Sequence, residues 1–111
     1  MIKQEQVAEL TPREFLETIK DKKNPFVIAD FYAEWCMPCL MLAPVMESIA
    51  EKNKNIKFVK INVDEAGDLS MQYRVSSIPC LVFLKNGKEV DRIENGVSEA
   101  KVEEKIKQFS R

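Results

Sequence analysis

Cys36 and Cys39, separated by two residues, are the side chains of this sequence best suited to chemistry. A cysteine pair at this spacing can close an intramolecular disulfide or bind a metal, because the thiolate is both a nucleophile and a ligand. An apolar pattern of helical period follows the pair, which predicts Cys36 at the first turn of a helix and Cys39 one turn further in. Unpaired backbone N–H groups and the helix dipole favour the thiolate there. Pro38 should stiffen the short segment between the two sulfurs.

The composition helps to separate redox chemistry from metal binding. The sequence has no histidine, which excludes Cys–His catalysis, Ser–His–Asp triads and histidine-ligated zinc. A four-ligand metal site would need two further soft ligands, and Cys80 is the one remaining cysteine. No glycine-rich phosphate loop is present. We therefore expect a redox pair with no metal and no organic cofactor, while a cluster shared between two copies of the chain stays an open alternative.

Charge and hydropathy exclude several classes of partner. The formal net charge is −1, from 17 basic and 18 acidic residues without a basic cluster, so nucleic acid binding is not expected. No apolar run approaches the roughly 18 residues of a membrane span. Residues 1–10 lack the apolar core of a signal peptide, and three cysteines are too few for a secreted disulfide framework. The expected location is therefore cytoplasmic. High charge with three glycines is a weak indication of heat stability.

The 111 residues suffice for one hydrophobic core, so we expect a single domain spanning residues 1–111. Turn residues and apolar periodicity predict the order β-α-β-α-β-α-β-β-α, with parallel strands first and an antiparallel edge after them. The predicted strands cover residues 5–10, 26–33 and 56–64, and a hairpin covers residues 80–93 around the Asn86-Gly87 turn. The first predicted helix begins at Thr11, in a capping box with Glu14. The second follows the cysteines through residues 42–50, the third covers residues 67–73, and the fourth begins at Ser98.

Asp30 is the second candidate for chemistry, because it interrupts the apolar run FVIADFYA at residues 26–33. A run of this kind predicts a strand that is covered on both faces. Burial there would raise the pKa of the carboxyl group, which would let it exchange protons near neutral pH. Lys60, in the middle of the next predicted strand, is its candidate partner. The alternatives are a solvated or lysine-paired Asp30 at a strand end and an exposed Lys60.

These segments together resemble the thioredoxin family over residues 5–110. DFYAEWCMPC, at residues 30–39, resembles the family's active-site segment, with Trp35 directly before Cys36 and Asp30 six residues before it. The other matches are Pro44 at the family's helix kink, KINVD at residues 60–64, SIPC at residues 77–80, FLKNGKEV at residues 83–90, and Gly96. The resemblance implies an α/β thioredoxin fold, with a central mixed five-stranded sheet flanked by four helices.

The resemblance implies a catalytic role for four residues. Cys36 would be the nucleophile that attacks a disulfide of a target protein, and Cys39 would resolve the resulting mixed disulfide. Asp30 would be the buried acid/base beneath the pair, with Lys60 near it. The implied activity is that of a protein-disulfide reductase in cytosolic redox homeostasis. It would receive electrons from a thioredoxin reductase and act as a monomer without a bound cofactor.

The resemblance also implies a surface that docks substrate beside the cysteines. The backbone of Ile78 would pair with an extended segment of the substrate, and Pro79 would follow a cis peptide bond. The residues implied to bind substrate are Trp35, Met37, Pro38, Ile78, Pro79 and Gly96. The substrates would be disulfide-containing proteins, with no nucleic acid and no membrane involved.

Four positions depart from the usual pattern of the family. Met37 stands where glycine is usual, Leu40 stands where lysine is common, and Tyr32 replaces a frequent tryptophan. The residues between the cysteines affect the pKa of the nucleophile and the redox potential, so Met37 bears on both. Cys80 replaces the usual threonine after the proline. It is either a regulatory thiol or a small buried residue that opens a strand.

Two other functions remain open on the sequence. Met37 in place of glycine is compatible with a glutaredoxin- or isomerase-like oxidoreductase, although isomerase-like sites usually have a histidine between the cysteines. A non-catalytic module of the same fold, with a metal or cluster on Cys36, Cys39 and Cys80, is the other alternative. The complete set of motifs in the expected order favours the protein-disulfide reductase.

Overall fold

The structure is a computed structural model that describes residues 6–110. Its strands are β1 (Ala8–Glu9), β2 (Phe26–Tyr32), β3 (Lys57–Asn62), β4 (Cys80–Lys85) and β5 (Lys88–Glu94). Its α-helices are α1 (Pro12–Lys20), α2 (Met37–Lys52), α3 (Gly67–Gln72) and α4 (Glu99–Phe109), and a 3₁₀ helix covers Val63–Glu65. The order of strands and α-helices confirms the predicted order. In the described part of the chain, no helix has the length and apolar character needed to cross a membrane.

The strands form one mixed sheet in the order β1-β3-β2-β4-β5. β3 pairs in parallel with both β1 and β2, whereas β4 runs antiparallel to β2 and β5 runs antiparallel to β4. The parallel strands and the antiparallel edge are therefore arranged as predicted. Because β2 is the middle strand and α2 follows it directly in the chain, the cysteines lie beyond the carboxyl end of the central strand.

β1 is shorter than the predicted strand at residues 5–10, of which residue 5 lies outside the described part. The backbone N–H groups of Gln6 and Val7 donate hydrogen bonds to the carboxylate of Glu47 on α2. These two donors are therefore engaged by a helix side chain and not by a neighbouring strand, which delays the start of β1.

Side-chain caps set several element boundaries. The hydroxyl of Thr11 accepts a hydrogen bond from the backbone of Glu14 at 3.2 Å, and the Glu14 carboxylate accepts one from the backbone of Thr11 at 2.9 Å. This is the predicted capping box of α1. Ser98 caps α4 as predicted. β3 stops short of the predicted limit because the Asn62 side chain accepts a hydrogen bond from the backbone of Asp64 and begins the 3₁₀ turn.

The β4–β5 hairpin turns at Asn86-Gly87, as the sequence predicts. Both residues have positive φ, 53° and 84°, which matches the twist of antiparallel strands. A Cβ atom on Gly87 would lie 3.1 Å from the carbonyl oxygen of Ile19 on α1. The position therefore favours glycine both for its backbone conformation and for the close approach of α1.

Helices cover both faces of the sheet, because successive side chains of a strand point to opposite faces. Phe26 and Ile28 of β2 belong to the buried cluster under α2 and α4. Val27 and Ala29 belong to the buried cluster under α1 and α3. The same alternation places Asp30 on the face that α2 covers, which is the helix that begins at the cysteines.

Candidate active site

Cys36 and Cys39 form a disulfide at the amino-terminal end of α2, with their Cα atoms 5.3 Å apart. Cys36 is the N-cap residue of this helix, and its sulfur accepts a hydrogen bond from the backbone N–H of Cys39 at 3.3 Å. Both side chains are buried, but Cys36 keeps 6% of its surface exposed against 2% for Cys39. Cys36 is therefore the more exposed residue of the pair, and it occupies the predicted helix position.

Backbone hydrogen bonds and a proline fix the turn from β2 into α2. The N–H of Cys36 donates to the carbonyl of Ala33 at 3.2 Å, and the N–H of Leu40 donates to the carbonyl of Cys36 at 3.1 Å. Pro38 lies in the first turn of α2, where its missing N–H leaves no helical bond unmade. Further along, α2 continues through Pro44 as a single helix. The cysteines are thus held at the end of a long, well-anchored element.

Asp30 is buried on the central strand, with 4% of its surface exposed. Its Oδ1 atom has no hydrogen-bond partner among the described residues. Burial raises the pKa of Asp30 to about 7, and the positive charge of Lys60 lowers it only in part. Lys60 is the partner of Asp30 in the register of β2 and β3. The carboxyl group can therefore gain or lose a proton near neutral pH, as the sequence predicts for a buried aspartate.

A cavity of about 420 Å³ is lined by both Asp30 and Cys39. Its lining residues are Val7, Asp30, Tyr32, Cys39, Leu40, Ala43, Pro44, Met46, Glu47 and Lys60. The cavity therefore brings together three residues that the sequence analysis placed in one catalytic group: Asp30, Cys39 and Lys60. Asp30 and Cys39 therefore line one common space.

Glu47 of α2 fixes the segment that forms one side of this cavity. Its carboxylate accepts hydrogen bonds from the backbone N–H of Gln6 at 2.7 Å and of Val7 at 3.1 Å. Val7 is buried and lines the cavity together with Glu47. Sequence reasoning missed Glu47, because the residues that it joins lie 40 and 41 positions away along the chain.

Exposed apolar side chains surround the disulfide at the start of α2. Trp35, Met37, Leu40 and Met41 are all exposed, and Trp35 presents 70% of its surface to solvent. The indole N–H of Trp35 donates a hydrogen bond to the carboxylate of Asp64 at 2.9 Å. Asp64, which the sequence analysis did not single out, therefore orients an otherwise exposed ring beside the cysteines.

The loop that precedes β4 supplies another wall of the site. The Ile78–Pro79 peptide bond is cis, as the family resemblance implies, and Pro79 is buried. The carbonyl oxygen of Ile78 lies 3.9 Å from the sulfur of Cys36. Gly96 is exposed in the turn after β5 with φ of 67°, and its carbonyl accepts a hydrogen bond from the Lys101 side chain at 3.0 Å. Its contact with substrate stays a prediction.

Cys80 opens β4 and is fully buried in the cluster under α1 and α3. Burial raises the pKa of the Cys80 thiol to about 11, although the guanidinium of Arg92, 3.8 Å from the sulfur, lowers it in part. Because the thiolate is the reactive form, this placement favours the small buried residue over the regulatory thiol.

The three cysteines do not gather into one ligand set. Cys36 and Cys39 belong to a small cluster with Ala33, whereas Cys80 packs into a different cluster under α1 and α3. Between residues 6 and 110, no group of three or more His, Cys, Asp or Glu side chains is arranged to hold a metal ion. This arrangement does not favour a metal or cluster bound jointly by the three sulfurs.

Comparisons with known proteins agree with this geometry. The family model described as Thioredoxin matches residues 6–108. Thioredoxin-1 of Saccharomyces cerevisiae is 43% identical over 83 residues, which make up 75% of this chain and 79% of that protein. A solved structure of a mutant thioredoxin from Halobacterium salinarum NRC-1 has a TM-score of 0.87 and 31% identity, covering 100% of this chain and 97% of that chain.

A further solved structure concerns the thiol resolving mechanism in yeast mitochondrial 1-Cys peroxiredoxin via glutathione/thioredoxin systems. It matches with a TM-score of 0.83 and 32% identity, over 93% of this chain and 95% of that chain. The mixed five-stranded sheet with four helices is the thioredoxin fold. These matches do not favour the glutaredoxin- or isomerase-like alternative or the binding module. With a family match that spans nearly every described residue and a disulfide at the first turn of α2, the chain belongs to the thioredoxin family.

Proposed function

We propose that this chain reduces disulfide bonds of other proteins, with Cys36 as the attacking thiol and Cys39 as the resolving thiol. The observation that carries the proposal is the disulfide at the amino-terminal end of α2, where Cys36 is the N-cap and the more exposed residue of the pair. Membership of the thioredoxin family, which consists of thiol–disulfide oxidoreductases, supports the same activity.

The two sulfurs act in sequence. In the reduced protein, the backbone N–H of Cys39 and the positive end of the α2 dipole stabilise the Cys36 thiolate. This thiolate attacks one sulfur of the target disulfide, and the other target sulfur leaves as a thiolate. The Cys39 thiol then loses its proton and attacks the sulfur of Cys36. The Cys36–Cys39 disulfide forms, the second target thiolate leaves, and two electrons have passed to the target.

Asp30 accepts the proton that Cys39 loses in the second step. Both residues line the same cavity, and a pKa of about 7 suits a general base at neutral pH. Lys60 lines this cavity too, so its positive charge stabilises the carboxylate once the proton has moved on to solvent. The proposed catalytic group is therefore Cys36, Cys39, Asp30 and Lys60.

The substrate docks on the apolar surface around the disulfide. The proposed substrate surface consists of Trp35, Met37, Pro38, Leu40, Ile78 and Gly96, and the implied substrate residue Pro79 lies buried directly after Ile78. An extended segment of the target pairs with the backbone of Ile78, next to the sulfur of Cys36. Met37 and Leu40 make this surface more apolar than a glycine and a lysine would, so it favours target segments with apolar side chains.

The electron donor is a thioredoxin reductase, and the chain works as a cytoplasmic monomer with one domain and without a bound cofactor. The targets are disulfide-containing proteins. The likeness to a structure concerned with a 1-Cys peroxiredoxin supports thiol peroxidases as one class of target.

Reduction of insulin disulfides with dithiothreitol as the electron donor tests this mechanism. Cys36→Ser should abolish catalysis. For trapping, dithiothreitol is removed after the protein has been reduced; in the double variant Cys39→Ser/Cys80→Ala, Cys36 is the one cysteine left, so a mixed disulfide with insulin should accumulate on it and be detected by mass spectrometry. The matched control, Cys36→Ser/Cys80→Ala, keeps only the less exposed Cys39 and should trap no comparable adduct. If Cys39→Ser turned over insulin as fast as the wild type, the two-cysteine mechanism would be wrong.

The reduction potential of the Cys36–Cys39 pair separates a reductase from an isomerase-like oxidoreductase. Thioredoxins lie near about −270 mV and protein disulfide isomerase near about −180 mV. Equilibration against a dithiothreitol redox buffer gives the potential, with fluorescence of Trp35, the one tryptophan, as the signal. A value near that of the thioredoxins supports the proposed reductase despite Met37. A value near that of the isomerase would mean that Met37 and Pro38 make the disulfide a stronger oxidant, which suits oxidation or isomerisation of the target.

A further inference from the structure

Arg92 of β5 contacts the start of the loop between α3 and β4, residues 73–79, here called the docking loop, and also the first residue of the strand that follows it. At its start, Nη2 donates a hydrogen bond to the carbonyl of Tyr73 at 2.6 Å, and Nη1 donates to the carbonyl of Arg74 at 3.5 Å. Beyond its end, Nη1 lies 3.8 Å from the sulfur of Cys80. One guanidinium group therefore links the start of this loop to the strand that the loop enters.

Two glutamates hold the guanidinium in this orientation. Glu89 accepts hydrogen bonds from Nε at 2.6 Å and from Nη2 at 2.9 Å, and Glu94 accepts one from Nη1 at 3.1 Å. The Arg92 side chain is 23% exposed, so these ion pairs are partly shielded from solvent. A guanidinium presents five N–H donors in a rigid plane, whereas an ammonium donates from a single atom. Lysine at this position would keep the charge but could not make this set of contacts.

The backbone at the start of the docking loop adopts an unfavourable conformation. Arg74 has φ of 54°, a left-handed conformation that residues other than glycine rarely adopt. The chain leaves α3 there through two nested hydrogen bonds, from the N–H of Arg74 to the carbonyl of Met71 at 3.0 Å and from the N–H of Val75 to the carbonyl of Ser70 at 2.9 Å. Arg92 holds the outward carbonyl of Arg74 at this turn.

We propose that Arg92 is a positioning residue for protein substrates, because it links the start of the docking loop to the first residue of β4 and so holds the backbone of Ile78, which lies between them, beside Cys36. The Ile78 carbonyl lies 3.9 Å from the Cys36 sulfur at the far end of this loop. The inference rests on the proposed function, in which an extended target segment pairs with that backbone. An ordered loop loses little conformational freedom when the target binds, so its rigidity favours binding.

A comparison of protein and small-molecule disulfides tests the proposal. Arg92→Lys keeps the charge and loses the planar fork. We expect the KM for insulin to rise about three- to tenfold, because several hydrogen bonds from a charged donor are lost. The kcat for insulin and the rate of reduction of 5,5′-dithiobis(2-nitrobenzoic acid), which does not need the loop backbone, should both stay within about twofold of wild type. Arg13→Lys, on an exposed residue of α1, is the matched control and should change neither.

Two further measurements complete the test: one does not depend on activity, and the other leaves Arg92 itself unchanged. Amide hydrogen exchange of residues 75–78 should accelerate in Arg92→Lys, while exchange of β2 stays as in the wild type. Glu89→Gln weakens the ion pair that orients the guanidinium and leaves Arg92 in place. It should raise the KM for insulin and the exchange rates in the same direction, by a smaller factor.

Three results would overturn the role of Arg92. The first is an unchanged KM for insulin in folded Arg92→Lys, and the second is unchanged exchange of residues 75–78. The third is an equal loss of activity toward the small disulfide, because that would place the effect on the cysteines and not on docking. Failure of the wild type to reduce insulin would instead contradict the proposed function, and the exchange measurement would still decide whether Arg92 orders the loop.

Discussion

Asp30 and Lys60 are partners in the register of two parallel strands, and both line the cavity that reaches Cys39. Burial raises the pKa of Asp30, and the charge of Lys60 opposes that rise without cancelling it, so the pKa stays at about 7. Two opposing effects thus place the ionisation of a buried carboxyl group near neutral pH. This pKa should affect both the rate of thiol exchange and the stability of the fold.

Replacement of Asp30 by asparagine should slow the step in which Cys39 resolves the mixed disulfide. In the wild type, the rate of this step should rise as pH increases through about 7, because ionised Asp30 can accept the proton of Cys39. Asp30→Asn should lower the rate at neutral pH by about tenfold or more and remove the inflection. Rapid-mixing measurements of Trp35 fluorescence across pH would follow the step. Asp68→Asn, on an exposed residue of α3, is the control, and an inflection that survives in Asp30→Asn would assign it to another group.

The same carboxyl group should make the protein less stable as pH rises from about 4 to about 7. Native Asp30 holds its proton up to a pKa of about 7, whereas the unfolded chain releases it near 3.8. The native state therefore binds more protons within this window, and the free energy of unfolding falls as pH increases through it. Above the window the loss is complete and amounts to about 4 kcal/mol, and below it the loss is absent.

Asp30→Asn should therefore stabilise the oxidised protein at about pH 8 by up to about 4 kcal/mol and have little effect at about pH 3.5. Urea unfolding at both pH values, with the Asp68→Asn variant in parallel, measures the difference. Equal stabilisation at both pH values would mean that packing, and not the ionisation of Asp30, causes the change.

Glu47→Ala should destabilise the protein by about 1–3 kcal/mol, because two backbone N–H groups lose a charged acceptor. Val7 is then no longer held at the cavity wall, so water can reach Asp30 and its pKa should fall toward the ordinary range. Urea unfolding and the pH midpoint of the resolving step test both effects. Ser48→Ala, on the exposed neighbour in α2, is the control.

A second variant distinguishes two causes of a change in the pKa of Asp30, namely access of water to the cavity and the charge of Glu47. Val7→Ala thins the cavity wall and leaves the Glu47 carboxylate in place. It should lower the pKa of Asp30 in the same direction as Glu47→Ala. A midpoint that moves in Glu47→Ala but not in Val7→Ala would show that the charge of Glu47, and not the exclusion of water, is responsible.

Asp64→Ala should release the indole ring of Trp35, which makes a hydrogen bond to that carboxylate while 70% of its surface is exposed. We expect lower fluorescence anisotropy of Trp35 and a KM for insulin about two- to fivefold higher, because binding must then order the ring. The stability should change by less than about 1 kcal/mol, since the bond is exposed to solvent. Asp68→Ala is the matched control. Unchanged anisotropy would mean that packing alone fixes the ring.

Short-range sequence features determined much of this fold. The capping box of Thr11 and Glu14 and the Asn86-Gly87 turn were predictable, because each depends on backbone groups within about four positions. The position of Cys36 at the start of α2 followed from the apolar period after it. The predicted strand at residues 5–10 was too long, because the acceptor for its first N–H groups lies on a distant helix.

By itself, then, the sequence determined the order of the elements, the cysteine pair at a helix start and an aspartate in a buried strand. Only the tertiary structure decided which side chains support that pair. Asp64 lies 29 positions from Trp35, Glu47 lies 40 positions from Val7, and the contacts of Arg92 with the docking loop span up to 19 positions. The physical reason is that such contacts require elements already packed on a common sheet, and no local pattern of residues encodes where a distant partner will lie.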